Sequence, residues 1–561
     1  MSLKKDLDKF FPRESQTRFI KFLDDLYKSN KEMIDSPPLD KKFFLLQLPP
    51  GSGKSHLALM IADWYKRNVD DKAKFDIITN SKILQNQYTK TYTSLNDLKG
   101  KENYSCQKYD TTCQQGGEFN RLNKSQCDGC PHAYARDQFL FGDISLTNFY
   151  LYILYQLYKP EAMKARGANV LIVDECQDFD DIMSDFISIK ITEFLVKKYK
   201  FSNESDILRK LKSITNIEDY VDFLEEFKIE VKKTVSDIQG SMGHVDRNPI
   251  SDKRNVRLSK VFKTQNPDIK MMQMIIDLDQ LYSKIEIFLK EYRSNENNWV
   301  METYLNQKTK QREISLEPIW AYDYLDKYVF SKYDMVFLMS GTILNKEIFC
   351  KMNGLDPEKS VYYSIPSPFP LKNRPIYYIP VGKMSYNKKE ETFKDYAPMI
   401  TRLLDKYPDK KGIIHTNSFE LASWIQRDVK NPRLVYHDSS NKDEVLENHF
   451  NTENPTVLVS PSMDTGVSFD GDRARFQIIA KVPYPSLASQ KNKLRKDSYP
   501  DWYAYRTVSG IIQSYGRIIR SDSDSGHTII IDASFGDVLR HSLKFIPNWV
   551  RDSIKRIDVK V

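Results

Sequence analysis

Long apolar runs are missing from this chain of 561 residues. No uninterrupted stretch reaches the roughly 18 apolar residues of a membrane span. The opening Met1-Ser2-Leu3-Lys4-Lys5-Asp6 runs into an amphipathic segment with no apolar core of a secretory leader. The expected compartment is therefore cytoplasmic, in a prokaryotic cell or a virus-infected host, with no membrane partner. Cysteine is scarce, at six residues. That fits a reducing compartment with one metal site better than a disulfide framework. No internal repeat at solenoid periods is present, and no separate cluster of several carboxylates with a histidine, so strand cleavage is not expected. Charge of one sign is not in large excess, with 84 Lys and Arg against 76 Asp and Glu and a net charge of +8. This balance is compatible with a polyanionic partner without demanding one. A composition of 40% hydrophobic and 29% charged residues describes a globular protein, and the length suggests roughly four domains.

What is present begins with a phosphate-binding loop. The apolar run Phe43-Phe44-Leu45-Leu46 leads into Pro49-Pro50-Gly51-Ser52-Gly53-Lys54-Ser55 and then a helical pattern from His56 to Ala62. In a strand, loop, helix context, the loop from Pro50 to Gly53 cradles phosphates through its backbone N–H groups from Gly51 onward, Lys54 neutralises the β/γ charge and Ser55 reaches Mg²⁺. Leu48 replaces the first glycine of the full pattern.

A second apolar strand, Asn169 to Val173, ends in Asp174-Glu175-Cys176-Gln177. Hydrolysis of a phosphoanhydride needs one acid to hold Mg²⁺ and another to orient or deprotonate water. Asp174 suits the first role and Glu175 the second. The competing reading is a solvated acidic turn, since Asp178, Asp180 and Asp181 follow at once. Far downstream, Gln513, Gly516, Arg517 and Arg520 have i, i+3, i+4, i+7 spacing, which predicts one helical face. Two guanidiniums there can meet a γ-phosphate and stabilise transition-state charge. Between loop and acids lie Cys106, Cys113, Cys127 and Cys130, followed by Pro131. Their spacing can supply four thiolates to an iron–sulfur cubane or to Zn²⁺. His132 reads as an exposed neighbour of that set. Around it Lys101, Lys108, Arg121, Lys124 and Arg136 alternate with Tyr104, Tyr109, Phe119 and Tyr134. Such a mixture can hold a single strand by phosphate contact and stacking, or can form a small solvated insertion with its own core.

Together these residues resemble the superfamily 2 helicases of the XPD/DinG type. Phe11 to Gln16 is similar to the adenine-side motif, Thr79 to Gln87 to motif Ia and Gly142 to Asn148 to the segment after the cysteines. Ser340-Gly341-Thr342 resembles the motif that couples hydrolysis to strand contact. Gly412 to Ser418 resembles motif IV, Ser460 to Phe469 motif V and Gln513 to Arg520 motif VI. Gln177 stands where the family usually has a His, Ser468 where an Asp is usual, and the Ile531 to Phe535 tail lacks a frequent Arg. The resemblance implies an α/β fold with two RecA-like parallel-sheet motor domains, an inserted iron–sulfur cluster domain and a helical arch domain. It implies ATP, Mg²⁺ and a 4Fe-4S cluster as cofactors, with Gln16 and Gly466 among the nucleotide-binding positions. It also implies 5′→3′ movement on single-stranded DNA and unwinding of forked or tailed duplex. A monomer is expected.

On this reading motor domain 1 covers 1–98, 140–183 and 296–365, the cluster insertion 99–139, the arch 184–295 and motor domain 2 366–561. Within 184–295, Arg247, Lys253, Arg254, Arg257, Lys260, Lys263 and Lys270 offer phosphate contacts or form a solvated linker. Trp299 to Tyr304 and Met335 to Met339 are expected as strands of the first motor sheet, and Ile365 to Pro370 as the crossover to the second domain. The rival function is a non-unwinding, DNA-binding ATPase that serves as a switch or scaffold. A third is an ATPase gated by cluster redox state.

Overall fold

The computed structural model describes residues 2–31, 41–109, 111–122, 127, 129–241, 267–305, 311–438, 440–461, 469–520 and 524–558. Two seven-stranded sheets dominate it, and every strand pair within them is parallel. The reason is visible in the strands themselves. Phe43–Gln47, Phe75–Thr79 and Val170–Asp174 are buried at every position, as strands must be when helices cover both faces of a sheet. This is the expected α/β class with two RecA-like sheets.

The first sheet runs in the order Ser360–Ser364, Phe43–Gln47, Met335–Ser340, Val170–Asp174, Phe75–Thr79, Ile144–Asn148, Asn96–Asp97. Its register sets Gln47 opposite Ser340, Met339 opposite Asp174 and Asp174 opposite Thr79. The chemistry-bearing ends of four strands thus share one carboxyl edge, where open parallel sheets bind ligands. Inside the sheet Phe44 stacks on Phe337 with ring centroids 4.8 Å apart, a pair worth about 0.5–1.5 kcal/mol beyond its buried area. The second sheet runs Leu434–Tyr436, Val457–Ser460, Gly412–His415, Phe476–Ile479, His527–Asp532, Ile376–Gly382, Ile554–Arg556.

Trp299–Leu305 departs from expectation. It joins a separate antiparallel sheet, between neither motor strand, in the order Ile189–Thr192, Arg312–Pro318, Trp299–Leu305. Only Met335–Ser340 returns to the first sheet. The apolar pattern identified the strand, but its partner is the neighbouring Arg312–Pro318 strand rather than a distant parallel one. Between the two halves of this small sheet stand long helices, Ile217–Ser241 and Pro267–Ser294, packed against each other. Of the basic stretch singled out there, Lys270 lies on the second helix, and Arg247 to Lys263 lie outside the described residues. No helix among the described residues is long and apolar enough to cross a membrane.

One buried ion pair ties the chain around the cysteine segment into the first sheet. Arg166 is 2% exposed and donates to Asp76 at 2.6 Å, while its other nitrogens reach the carbonyls of Phe139, Gly142 and Phe75 at 2.6, 2.9 and 2.8 Å. Asp76 also accepts from Tyr333 at 2.6 Å. A charge buried this deeply persists because every polar atom around it is matched.

Candidate active site

The loop between the buried Phe43–Gln47 strand and the Lys54–Asn68 helix turns on two glycines in the left-handed region, Gly51 at φ 76° and Gly53 at φ 79°. A β-carbon on Gly51 would lie 2.1 Å from the Phe369 ring, and one on Gly53 2.5 Å from the Gln16 amide nitrogen. Gln16 braces the loop: its Oε1 accepts from the Arg13 N–H at 2.7 Å and its Nε2 donates to the Gly53 carbonyl at 2.9 Å. No side chain caps the Lys54–Asn68 helix, so its first N–H groups are available to an anion at the positive end of the helix. The Ser52 hydroxyl is buried in this loop without a hydrogen-bond partner. An orphaned donor beside uncapped helical N–H groups is what a phosphate oxygen would satisfy, so these residues fit ATP. Ser55 follows Lys54 in the first turn.

Lys54 Nζ lies 3.0 Å from Glu175 Oε1. Asp174, at the strand end, is 1% exposed and accepts from the Tyr88 hydroxyl at 2.9 Å and from the Glu175 N–H at 3.0 Å. Burial pushes the Asp174 carboxyl up to about 6, with Lys54 opposing and Glu175 adding to the shift. Burial would raise Glu175 too, but the charge and hydrogen bond of Lys54, with Arg520 and Arg517 behind them, hold it below the ordinary value. Adjacent carboxyls driven apart in this way can take different roles. Glu175 itself sits at φ 60°, a conformation that a non-glycine residue keeps only when its surroundings hold it.

Across the cleft, the Pro500–Tyr515 helix ends at Tyr515, with Gly516 as its cap. Arg517 and Arg520 therefore follow the helix in a turn instead of continuing its face, a correction to the i, i+3, i+4, i+7 reading. Gly516 caps the helix, and a β-carbon there would lie 2.5 Å from Pro50 of the loop. The result still gathers the residues: Lys54, Glu175, Gln513, Arg517 and Arg520 line one cleft of about 410 Å³, within the range that holds a small ligand. Gln513 donates to Thr342 Oγ1 at 3.4 Å, the Thr342 N–H donates to Ser340 Oγ at 3.1 Å, and Ser340 Oγ donates to Gln177 Oε1 at 2.5 Å. Gln177, in the place of the usual His, thus spans from the acidic turn to Ser340. Gly466 and Ser468 lie outside the described residues.

Sequence reasoning missed several contributors. Tyr88 and Asn80 fall within or beside the motif Ia segment, and Asn80 donates to Asp178 Oδ2 at 3.2 Å. Asp470 and Arg473 also line the cleft. The acidic run is not a solvated turn. Asp180 is 1% exposed and pairs with Arg495 at 2.9 Å, and Asp181 pairs with Arg495 at 3.4 Å and with Arg506. Nearby, Lys491 reaches Ser184 Oγ at 2.6 Å and Glu317 at 3.3 Å. These charges join the acidic run beside the first sheet to the Gln490–Ser498 and Pro500–Tyr515 helices.

The cysteines are less completely assembled. Cys113 and Cys130 sulfurs are 3.6 Å apart. Cys106 is close enough to raise the Cys113 thiol, which burial first and then Cys130 push up to about 12. Cys127 instead accepts from Asn120 Nδ2 at 2.6 Å. Among the described residues no three His, Cys, Asp or Glu side chains form a metal-binding group. The four thiols share one small unit, with Cys106 on a two-stranded ribbon, Cys113 opening the Cys113–Leu122 helix and Cys130 preceding the Pro131–Phe141 helix. His132 is buried rather than exposed, packed edge-on against Tyr104 at 5.3 Å, and burial lowers it to about 4. Arg121 and Arg136 pair with Glu118 and Asp137 at 2.7 Å each, while Tyr134 is 70% exposed. Lys124 and the Phe119 side chain are outside the description.

Two family patterns match, the helicase C-terminal domain over residues 400–553 and the type III restriction enzyme res subunit over residues 9–199. A solved XPD helicase aligns with 98% of this chain and 99% of its own, at 13% identity and a TM-score of 0.62. An apo XPD structure aligns with 96% and 100%, at 13% identity and 0.61. The chain has the fold of the solved XPD structures. The ATP-dependent DNA helicase CHL1 of Vanderwaltozyma polyspora is 20% identical over 503 residues, 76% of this chain and 58% of its own length. A probable ATP-dependent helicase of Methanocaldococcus jannaschii is 22% identical over 294 residues, 47% and 44% of the two chains. The chain thus spans about half the length of these relatives.

Proposed function

We propose that this chain is an ATP-dependent DNA helicase that moves 5′→3′ on single-stranded DNA and opens forked or tailed duplex, acting as a monomer. The observation that carries the reading is the two-sided cleft: Lys54 and Glu175 come from the first motor sheet, and Gln513, Arg517 and Arg520 from the second. Closing it on ATP completes a hydrolytic site that neither half holds alone. Lys54 and the helix N-terminus bind the β/γ phosphates, Asp174 and Ser55 hold Mg²⁺, and Glu175 orients the attacking water and takes its proton. Arg517 and Arg520 offset the charge that develops on the transferred phosphoryl group. The Gln513, Thr342, Ser340, Gln177 chain of hydrogen bonds transmits the change in the cleft toward the strand-binding side. Movement follows when the two motor domains alternate their grip on the strand.

Four thiols with no carboxylate among them suit a soft metal centre, and Cys106, Cys113, Cys127 and Cys130 would hold a 4Fe-4S cluster in a module beside the DNA path. The 3.6 Å separation of Cys113 and Cys130 also suits tetrahedral Zn²⁺, where two thiolates at about 2.3 Å from the metal stand about 3.8 Å apart. ATP hydrolysis by anaerobically purified protein, with and without single-stranded DNA and at two salt concentrations, tests the function, and metal analysis of the same sample tests the centre. Stimulation that weakens with salt, strand displacement from a 5′ tail and about four irons per chain are the expected results. Stimulated ATPase without displacement would favour the switch or scaffold, and stoichiometric zinc would replace the cluster.

A further inference from the structure

Arg506 is the strongest unassigned group in the molecule, and its argument rests on the ATP-hydrolysis part of the proposed function. It lies seven residues before Gln513 on the Pro500–Tyr515 helix, two turns away and on the same face. From there Nη1 donates to the backbone carbonyl of Gln177 at 2.9 Å, and Nη2 bonds the Asp181 carboxylate. Its side chain is 18% exposed. The carbonyl it holds is two residues beyond Glu175, in the short 3₁₀ turn Cys176–Asp178.

That turn is under demand. Glu175 occupies the left-handed region at φ 60°, which favours relaxation unless the following backbone is fixed. From the first motor domain, Ser340 holds the Gln177 side chain and Asn80 holds Asp178. These contacts fix side chains. Arg506 fixes the main chain, and it does so from the second motor domain. The planar fork of a guanidinium suits two fixed acceptors. Arg495, one helix earlier, pins Asp180 and Asp181 from the same side, so the acceptor of the second nitrogen is itself held in place.

We infer that Arg506 is a positioning residue for ATP hydrolysis, which sets the Glu175 turn from the opposite motor domain and so makes the water-orienting carboxylate competent only when the Pro500–Tyr515 helix is docked. One rigid helix then completes the site twice, through Gln513 at Thr342 and through Arg506 at the acidic turn. Arg506 does not face the cleft, so it acts on turnover and not on nucleotide affinity.

The test is steady-state ATPase of the full chain carrying Arg506→Ala, Arg506→Lys or Asp181→Asn, with nucleotide affinity measured by a fluorescent ATP analogue and folding by thermal melting. Arg506→Ala is expected to lower kcat by about tenfold to a hundredfold, the scale of a lost charge-assisted hydrogen bond, with KM and analogue affinity within about twofold. Arg506→Lys, which reaches one acceptor but not both, recovers part of kcat. Asp181→Asn has a smaller effect because the Gln177 carbonyl bond survives. A kcat for Arg506→Ala within twofold of wild type overturns the inference. So does a rise in KM with kcat unchanged, or a kcat loss shared by Arg506→Lys and matched by lower melting temperatures. Wild-type turnover that ignores DNA sinks the helicase reading alone, because the variants are still compared on DNA-independent hydrolysis. A wild-type chain with no turnover sinks both.

Discussion

The two seven-stranded parallel sheets are alike in topology and opposite in chemistry. The first brings Gln47, Ser340, Asp174 and Thr79 to one carboxyl edge and surrounds it with a phosphate loop and acids. The second presents Gln513, Arg517 and Arg520 to the same cleft. Each edge is locally stable, yet each is half of a site. A sheet scaffold supplies positions, and the loops at its edge decide whether a position binds phosphate, holds a metal ion or meets developing charge. The charges that join the halves, Asp180 with Arg495 and Asp181 with Arg506, stand beside the cleft that the proposed cycle would close.

The division can be broken from either side. Lys54→Ala, on the first sheet, is expected to reduce ATP turnover to background while sparing much of the single-strand binding, measured by phosphate release and fluorescence anisotropy; retained ATPase would remove the loop from the site. Arg520→Ala, on the second, should lower kcat by about a thousandfold, the lower end for such arginines, with ATP binding preserved. A large loss of affinity instead would make the second sheet a binding element.

Two stability experiments sharpen the contrast between the cores. Arg166→Met, in the first, leaves Asp76 buried without its partner and is expected to cost about 3–5 kcal/mol in urea unfolding. Adding Asp76→Leu should return part of it, since the unpaired charge is then gone. The second core has a smaller, pH-dependent counterpart in His449, which is 2% exposed and bonded to Thr456 and the Arg473 carbonyl at 2.8 and 2.9 Å. Burial lowers it to about 4, with Lys411 adding and the Arg473 carbonyl opposing. The unfolded chain takes up this proton near pH 6.5 and the folded chain only near 4. The stabilisation is therefore complete above 6.5 and is lost as pH falls from 6.5 toward 4. At pH 5.5 about 1.4 kcal/mol of it should be gone, and His449→Gln should flatten that part of the stability profile. An unchanged slope would show that other groups dominate.

Legibility followed distance along the chain. The phosphate loop reads from sequence because strand, glycines and helix are consecutive, and Asp174-Glu175 reads because a buried strand ends there. The competing reading of a solvated acidic turn stayed open for Asp180 and Asp181 because their partners, Arg495 and Arg506, lie more than 300 residues away. Trp299–Leu305 was recognisable as a strand but not by its sheet, since pairing is a non-local choice. The helix through Gln513 stops at Tyr515, and Gly516 packs against Pro50, neither of which any periodicity contains. Tyr88, which bonds Asp174, had no sequence signal beyond its place beside motif Ia.

By itself, then, the sequence determined the α/β class and offered the loop, the acid pair, the two arginines and four closely spaced cysteines as candidates, since each is a property of neighbouring residues and their period. Tertiary structure alone decided which charges face one another. The energy of a buried ion pair, a strained Glu175 or a sulfur contact depends on what the rest of the fold removes from water. That is why the cleft between the sheets, the latch of Arg495 and Arg506, and the meeting of Cys113 with Cys130 emerged only once the chain was folded.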